Sequence, residues 1–438
     1  MRVLSVAILI TFGYVGLAKA GTVYINPSAA TNGNGTVAHP YNTWAIGSLV
    51  SGNTYLQLAG TTYAGVVYDE TAPTASKPIT IGAYGTGAAP IINTMGFSGA
   101  SYATISGFEL AGETNAPAVL VQQSSSHITV TLNTVLNAPA GGISVSGAGA
   151  GNVISHNTVE NCTGVGITIY PTTATAASPT QVYDNLVTGS SGDGILIESN
   201  YVTVTSNEVT GNGQASGGSS GIHIYTPSAS AGIGQHNTVS GNIAIGNIDS
   251  LDQDGNGIEI DQWATENTVT ENLTTQNDGG GVVLYDAPGN TITYNIMFAN
   301  GEDRHGTHAI HSELILNSSL GLTENNVIKN NSMVGYFTSV DAGFVSAASA
   351  SGGNTFSANT LAVAGSWSVF QVGSTTGTQQ SVWNSLLSAS DIFAPPPLTA
   401  PTGGPYSYTF PAGTSAVVDG ETITLYGWSA SPGLYGTN

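Results

Sequence analysis

The sequence predicts an all-β protein: a right-handed parallel β-helix, that is, a solenoid, with an N-terminal cap and a small C-terminal β extension. Three observations predict it. Gly-rich loops and frequent Val, Ile and Thr leave few helix-compatible stretches. A unit "G-I-x-I-x", then a loop, then "N-x-V-x-x-N", returns along the chain. Two-residue alternation inside each short strand sends side chains in and out by turns.

The first element is an export signal over residues 1–20. Arg2 precedes the apolar run "VLSVAILITFGYVGLA", and Ala18-Lys19-Ala20 supplies the small-residue cleavage site before Gly21. This predicts a secreted or periplasmic protein without membrane insertion after cleavage. Residues 21–100 form the N-terminal cap and first coils of a helix that extends to about residue 365.

The repeat itself reads "GISVS" (142), "GITIY" (166), "GILIE" (194), "GIHIY" (221), "GIEID" (257), "GVVLY" (281) and "AIHSE" (309). Between these lie "NTVENC" (157), "NLVTGS" (185), "NEVTGN" (207), "NIAIGN" (242), "NLTTQN" (272), "NIMFAN" (295) and "NNVIKN" (325), with "NTVLNA" (133) upstream and "NTLAVA" (359) downstream. Strand starts fall 24, 28, 27, 36, 24 and 28 residues apart. A unit with two short strands and no helix cannot bury its apolar face alone, so units must stack. Asn recurring at one turn predicts an amide ladder along the stack. Residues 366–438 follow as a C-terminal cap and extension. There "SVWNSLLSASDIF" suits a short helical or irregular cover, and Thr402 to Asn438 reads as a few strands.

Charge narrows the partners. The chain carries 26 acidic and 5 basic residues, a net charge of −21. Past the signal only Lys77, Arg304 and Lys329 are strongly basic, which excludes nucleic acid and anionic lipid. The lone Cys162 cannot close an intrachain disulfide. A monomer that binds a neutral or weakly charged poly- or oligosaccharide is expected.

With the isoleucines inside, the second and fourth residues after each glycine face out. The fourth-position column is Ser146, Tyr170, Glu198, Tyr225, Asp261, Tyr285, Glu313, and the second-position column is Ser144, Thr168, Leu196, His223, Glu259, Val283, His311. Loops entering these strands add Asp193, then Asp249, Asp252 and Asp254, then Asp278, and finally Glu302, Asp303, Arg304, His305 and His308.

The N-terminal stretch "TVYINPSAATNGNGTVAHPYNTWAIGSLVSGNTYLQLAGTTYAG" and the central "DGNGIEIDQWATENTVTENLTTQNDGGGVVLY" resemble the pectate-lyase-like parallel β-helix proteins. The resemblance covers roughly residues 21 to 365. It implies the fold but not the reaction, since that superfamily hosts lyases, hydrolases, epimerases and non-enzymes. The "D-P-H" motif of alginate epimerases and the "G-H-G … R-I-K" pattern of polygalacturonases are absent, and no lysine falls on this face.

Three functions follow. A glycoside hydrolase would use two carboxyl groups, about 5–5.5 Å apart for retention or roughly 6.5–9.5 Å for inversion. Asp261 and Glu259 are the expected core pair, with Glu198 or Glu313 next. Tyr170, Tyr225, Tyr285 and Trp263 would hold sugar rings, and His223 and His311 their hydroxyls. This reading requires no cofactor. A calcium-dependent lyase or epimerase on a uronate polymer would instead use Arg304 and His305. Its calcium would sit on Asp252, Asp254 and Asp261, in a loop that opens like an EF-hand but has Trp263 at position twelve. A non-catalytic carbohydrate-binding or surface structural protein would keep the tyrosines without needing the carboxylates.

Overall fold

A computed structural model describes residues 21–249, 251, 254–302, 312–335 and most of 345–393, with a few short strands between 408 and 430. The expected signal segment, Asp252, and the stretch carrying Arg304, His305 and His311 lie outside the described residues.

Each coil has three strands, not the two expected. One coil runs through Ile143–Ser146, Val153–Ser155 and Thr158–Glu160 before Ile167–Ile169 opens the next. Every one of these pairs in parallel one coil on: Ile143 with Ile167, Val153 with Gln181, Thr158 with Leu186. The strand missing from the sequence reading is written "VIS" here and "TVT" further on, each with one apolar residue at its centre. A single buried valine or isoleucine in a Thr/Ser background gives almost no periodic signal.

Stacked inward residues make one continuous core. Ile167, Ile195, Ile222 and Ile258 occupy one column and are fully buried. Each contributes roughly 1.5–3 kcal/mol of transfer energy. Between the second and third strands the chain turns in two residues. The first takes a left-handed conformation, as at His156, Ser206 and Glu271 (φ 54°, 55° and 60°). The second is the ladder asparagine.

The longest ladder runs Asn133, Asn157, Asn185, Asn207, Asn242, Asn272, Asn295, Asn331, Asn359. At each rung the side-chain Nδ2 donates to the next Oδ1 at 2.9–3.2 Å. The eighth rung is therefore Asn331 rather than the Asn325 of "NNVIKN"; Asn326 belongs to a separate ladder running from Asn290 to Asn354. A further ladder passes through Asn212, Asn247, Asn277 and Asn300. This one explains the repeated glycine. A Cβ on Gly221 would stand 2.5 Å from Asn247 Nδ2 and 2.7 Å from the Gly257 carbonyl.

The rungs need an acceptor where they end; the Asn354 ladder ends on the Thr323 carbonyl (2.9 Å), and the other two on acidic residues. Asn359 Nδ2 donates to Asp391 Oδ1 (2.9 Å), and Asn300 Nδ2 to Glu313 Oε2 (2.6 Å). The expected cover over "SVWNSLL" is an α-helix, Gln380–Leu387. Its buried Trp383 packs on Phe356 and Phe370 and donates Nε1–H to the other Asp391 oxygen. No helix among the described residues is long and apolar enough to cross a membrane.

Candidate active site

The outer face of one sheet carries the acidic residues. Its central strands are Ile195–Ile197, Ile222–Tyr225, Ile258–Asp261 and Val282–Tyr285, in register throughout. Tyr225 stands opposite Asp261, which stands opposite Tyr285. Glu198 follows Ile197 directly and so shares the register of Tyr225. The expected row Tyr170, Glu198, Tyr225, Asp261, Tyr285 is thus present, and each member is partly open to solvent.

The seventh strand departs from expectation. It is Leu314–Asn317, with Val283 opposite Ile315 and Tyr285 opposite Asn317. Glu313 therefore occupies the glycine column, not the outward one. It is 1% exposed and accepts from the Asn300 N–H and Nδ2. It closes a ladder and cannot reach a substrate. "AIHSE" has Ser312 where the second inward apolar residue belongs; "ELILN" (313) carries the pair, Leu314 and Leu316.

The second-position column also differs. Ser144, Thr168, Leu196, His223, Glu259 and Val283 lie on the outer side of the sheet, yet all are buried. Over His223 and Glu259 this is the work of residues just before the glycines, Asp193, Ser220 and Asn256. Ser220 Oγ donates to Glu259 Oε2 at 2.6 Å and Asn256 Nδ2 to the same oxygen at 2.9 Å. Asn256 is held in turn by Gly280 N–H donating to its Oδ1 (2.7 Å). At 3% exposure, Glu259 lies beneath this lattice, while Asp261 is partly open to solvent. A carboxylate oxygen of each nevertheless lies within 4.8 Å of the other.

His223 joins the two layers. Asp193 Oδ1 lies 3.2 Å from its Nδ1 and also accepts the Ser220 N–H at 2.7 Å. Asp261 Oδ2 is 3.7 Å from its Nε2, and the ring leans on Tyr225 with centroids 5.7 Å apart. Burial works against a charged imidazole here, but Asp193, Glu259 and Asp261 hold the group well above its usual range. Asp249 anchors the overlying loop by accepting the Gly218 N–H (2.7 Å). Burial, Glu259, Asp261 and Asp249 push Asp254 up to about 9 against the pull of His223. Burial likewise raises Glu259 and Glu198, in each case opposed by His223. Of the partners that make this network, Asp193 is among the acidic loop residues the sequence brings to this face, whereas Ser220 and Asn256 are not picked out there. The signal is positional: all three directly precede a repeat glycine.

One coil before Glu198 a cleft of about 280 Å³ lies over Ser144 and Thr168, walled by Pro117, Val165 and Tyr170. Tyr170 is 37% exposed and offers its ring to this space. Trp263 lies in the turn two residues past Asp261, in a left-handed conformation (φ 51°) with its N–H donating to the Asp286 carbonyl.

Known proteins fit this geometry at the level of fold. Residues 93–273 match the family described as the right-handed β-helix region. No curated protein sequence matches the chain. Among solved structures, the A-module of a mannuronan C-5 epimerase from Azotobacter vinelandii is similar at 14% identity and TM-score 0.52, covering 80% of this chain and 92% of that one. A mannuronic acid specific polysaccharide family 6 lyase from human gut microbiota gives 13% and 0.52, over 86% and 92%. A lacto-N-biosidase from Eubacterium ramulus gives 17% and 0.50, over 74% of this chain and 65% of its own length. The three neighbours carry different chemistries on one scaffold. What they share with this chain is the right-handed parallel β-helix of the pectate-lyase-like fold.

Proposed function

We propose that the protein is a glycoside hydrolase that binds a neutral or weakly charged glycan along the outer face of this sheet. The observation that carries the proposal is the partly open row Tyr170, Glu198, Tyr225, Asp261, Tyr285 on successive coils, continuous with the cleft over Ser144 and Thr168. Tyrosine faces suit the apolar faces of pyranose rings. Glu198 is the proton donor, its carboxyl raised by burial as an acid catalyst requires. Asp261 is the carboxylate that takes a proton from the attacking water.

The two belong to strands separated by one intervening coil, about 9.6 Å at the backbone. That is a backbone spacing; carboxyl groups leaning toward each other across it would fall within the roughly 6.5–9.5 Å usual for inversion, with room for water between them. Structural neighbours that act on saccharides support a saccharide substrate. The supporting experiment incubates wild type, Glu198→Gln and Asp261→Asn with neutral and uronate polysaccharides. New reducing ends without unsaturated product, lost in both variants, are expected. Unsaturated product would assign the face to elimination, and reducing ends undiminished in both variants would remove this pair.

A further inference from the structure

We propose that His223, Glu259 and Asp261 form a binding site for one divalent transition-metal ion, with Asp193 orienting the imidazole. One ligand atom from each of the three lies within 4.8 Å of the others. The cluster alone would be consistent with a simple charge network, but two buried atoms point further. His223 is only 6% exposed, and its Nε2 has no hydrogen-bond partner; Asp261 Oδ1 is equally buried and unpartnered. Buried polar atoms in folded proteins are rarely left so.

The distances suit an ion. Nε2 and Asp261 Oδ2 are 3.7 Å apart, too far for a hydrogen bond. Two donors each about 2.0–2.2 Å from one ion stand at about this separation. The surroundings suit it as well. Asp193 takes up Nδ1, which leaves the Nε2 lone pair for a metal, the usual carboxylate–histidine–metal order. Ser220 and Asn256 both donate to Glu259 Oε2 and leave its other oxygen for the ion.

One imidazole nitrogen and two carboxylate oxygens select zinc, manganese or iron over calcium, which takes about six to eight oxygens. This site shares Asp261 with the calcium set that the sequence suggests, and Asp254 of that set lies close enough to feel the charges of Glu259, His223 and Asp261. It stands apart from the hydrolase reading, although the two share Asp261. With an ion present, that carboxylate holds the metal rather than accepting a proton directly.

The test is calorimetric titration of the full chain, stripped with a chelator and dialysed, with Zn²⁺, Mn²⁺ and Ca²⁺, alongside thermal midpoints. One equivalent of Zn²⁺ or Mn²⁺ should bind and raise the midpoint. His223→Ala should abolish this, and Asp193→Asn should weaken it by about 10- to 100-fold. Should His223→Ala fail to fold, Asp261→Asn in the same titration takes its place. Absence of one-to-one binding, unchanged binding in the variants, or equally tight calcium binding would overturn the proposal. Glu198→Gln separates the two assignments, because it should bind metal normally while losing glycan cleavage. A wild type that binds the ion but cleaves nothing keeps this site and removes the hydrolase; one that cleaves but binds no ion does the reverse.

Discussion

Around His223, placement decides role more than residue type does. The sequence ranks Asp261 and Glu259 as the core pair with Glu198 or Glu313 next, and the structure places the four differently. Asp261 and Glu198 stay at the groove, Glu259 lies under Ser220 and Asn256, and Glu313 ends a ladder. Alternation made the outward column legible as far as Tyr285. It could not reveal burial, because burial depends on loop residues such as Ser220 that carry no pattern of their own. Glu198→Gln and Asp261→Asn should each lower turnover by about 10²- to 10⁴-fold. Both residues are partly open, so thermal midpoints should stay near wild type; a parallel loss of midpoint would mean the side chains serve the fold instead.

At the scale of the coil, glycine and asparagine depend on each other. A Cβ on Gly257 would stand 2.7 Å from the Gly281 carbonyl and 2.8 Å from Asn277 Nδ2. Gly257→Ala should therefore destabilise the protein and displace the strand that carries Glu259 and Asp261, which thermal melting and activity would report together. Asn242→Ala removes the acceptor for the Asn207 N–H and Nδ2. Each orphaned buried donor costs about 1–3 kcal/mol, and amide hydrogen exchange should quicken at the rungs on either side. The ladder was legible because one residue type recurs at one turn. The middle strand of the coil was not, since a lone valine between threonines, as in Thr268–Thr270, carries no period. The slip at Glu313 has a different origin: "AIHSE" puts Ser312 where a second apolar residue belongs, while "ELILN" keeps the pattern, and the pairing of Val283 with Ile315 places the strand there.

Over the whole molecule, the solenoid ends two of its amide ladders with carboxyl groups, and this ties stability to pH. Burial pushes Glu313 up to about 8, against the hydrogen bonds from Asn300. A carboxyl raised on folding contributes its full stability below its unfolded value, and that contribution is lost as pH rises through the folded one. The thermal midpoint should therefore fall between about pH 4.5 and 8, and Glu313→Gln should flatten that fall. Along the same axis the coils set the spacing of the proposed catalytic pair, Glu198 and Asp261, with Tyr225 between them. The most direct measurement is a proton NMR time course of the first product from a cleaved glycan. Glu198 and Asp261 acting across two coils predict a new hemiacetal of inverted anomeric configuration and no vinyl signal. A retained anomer, or an unsaturated sugar, would contradict that account.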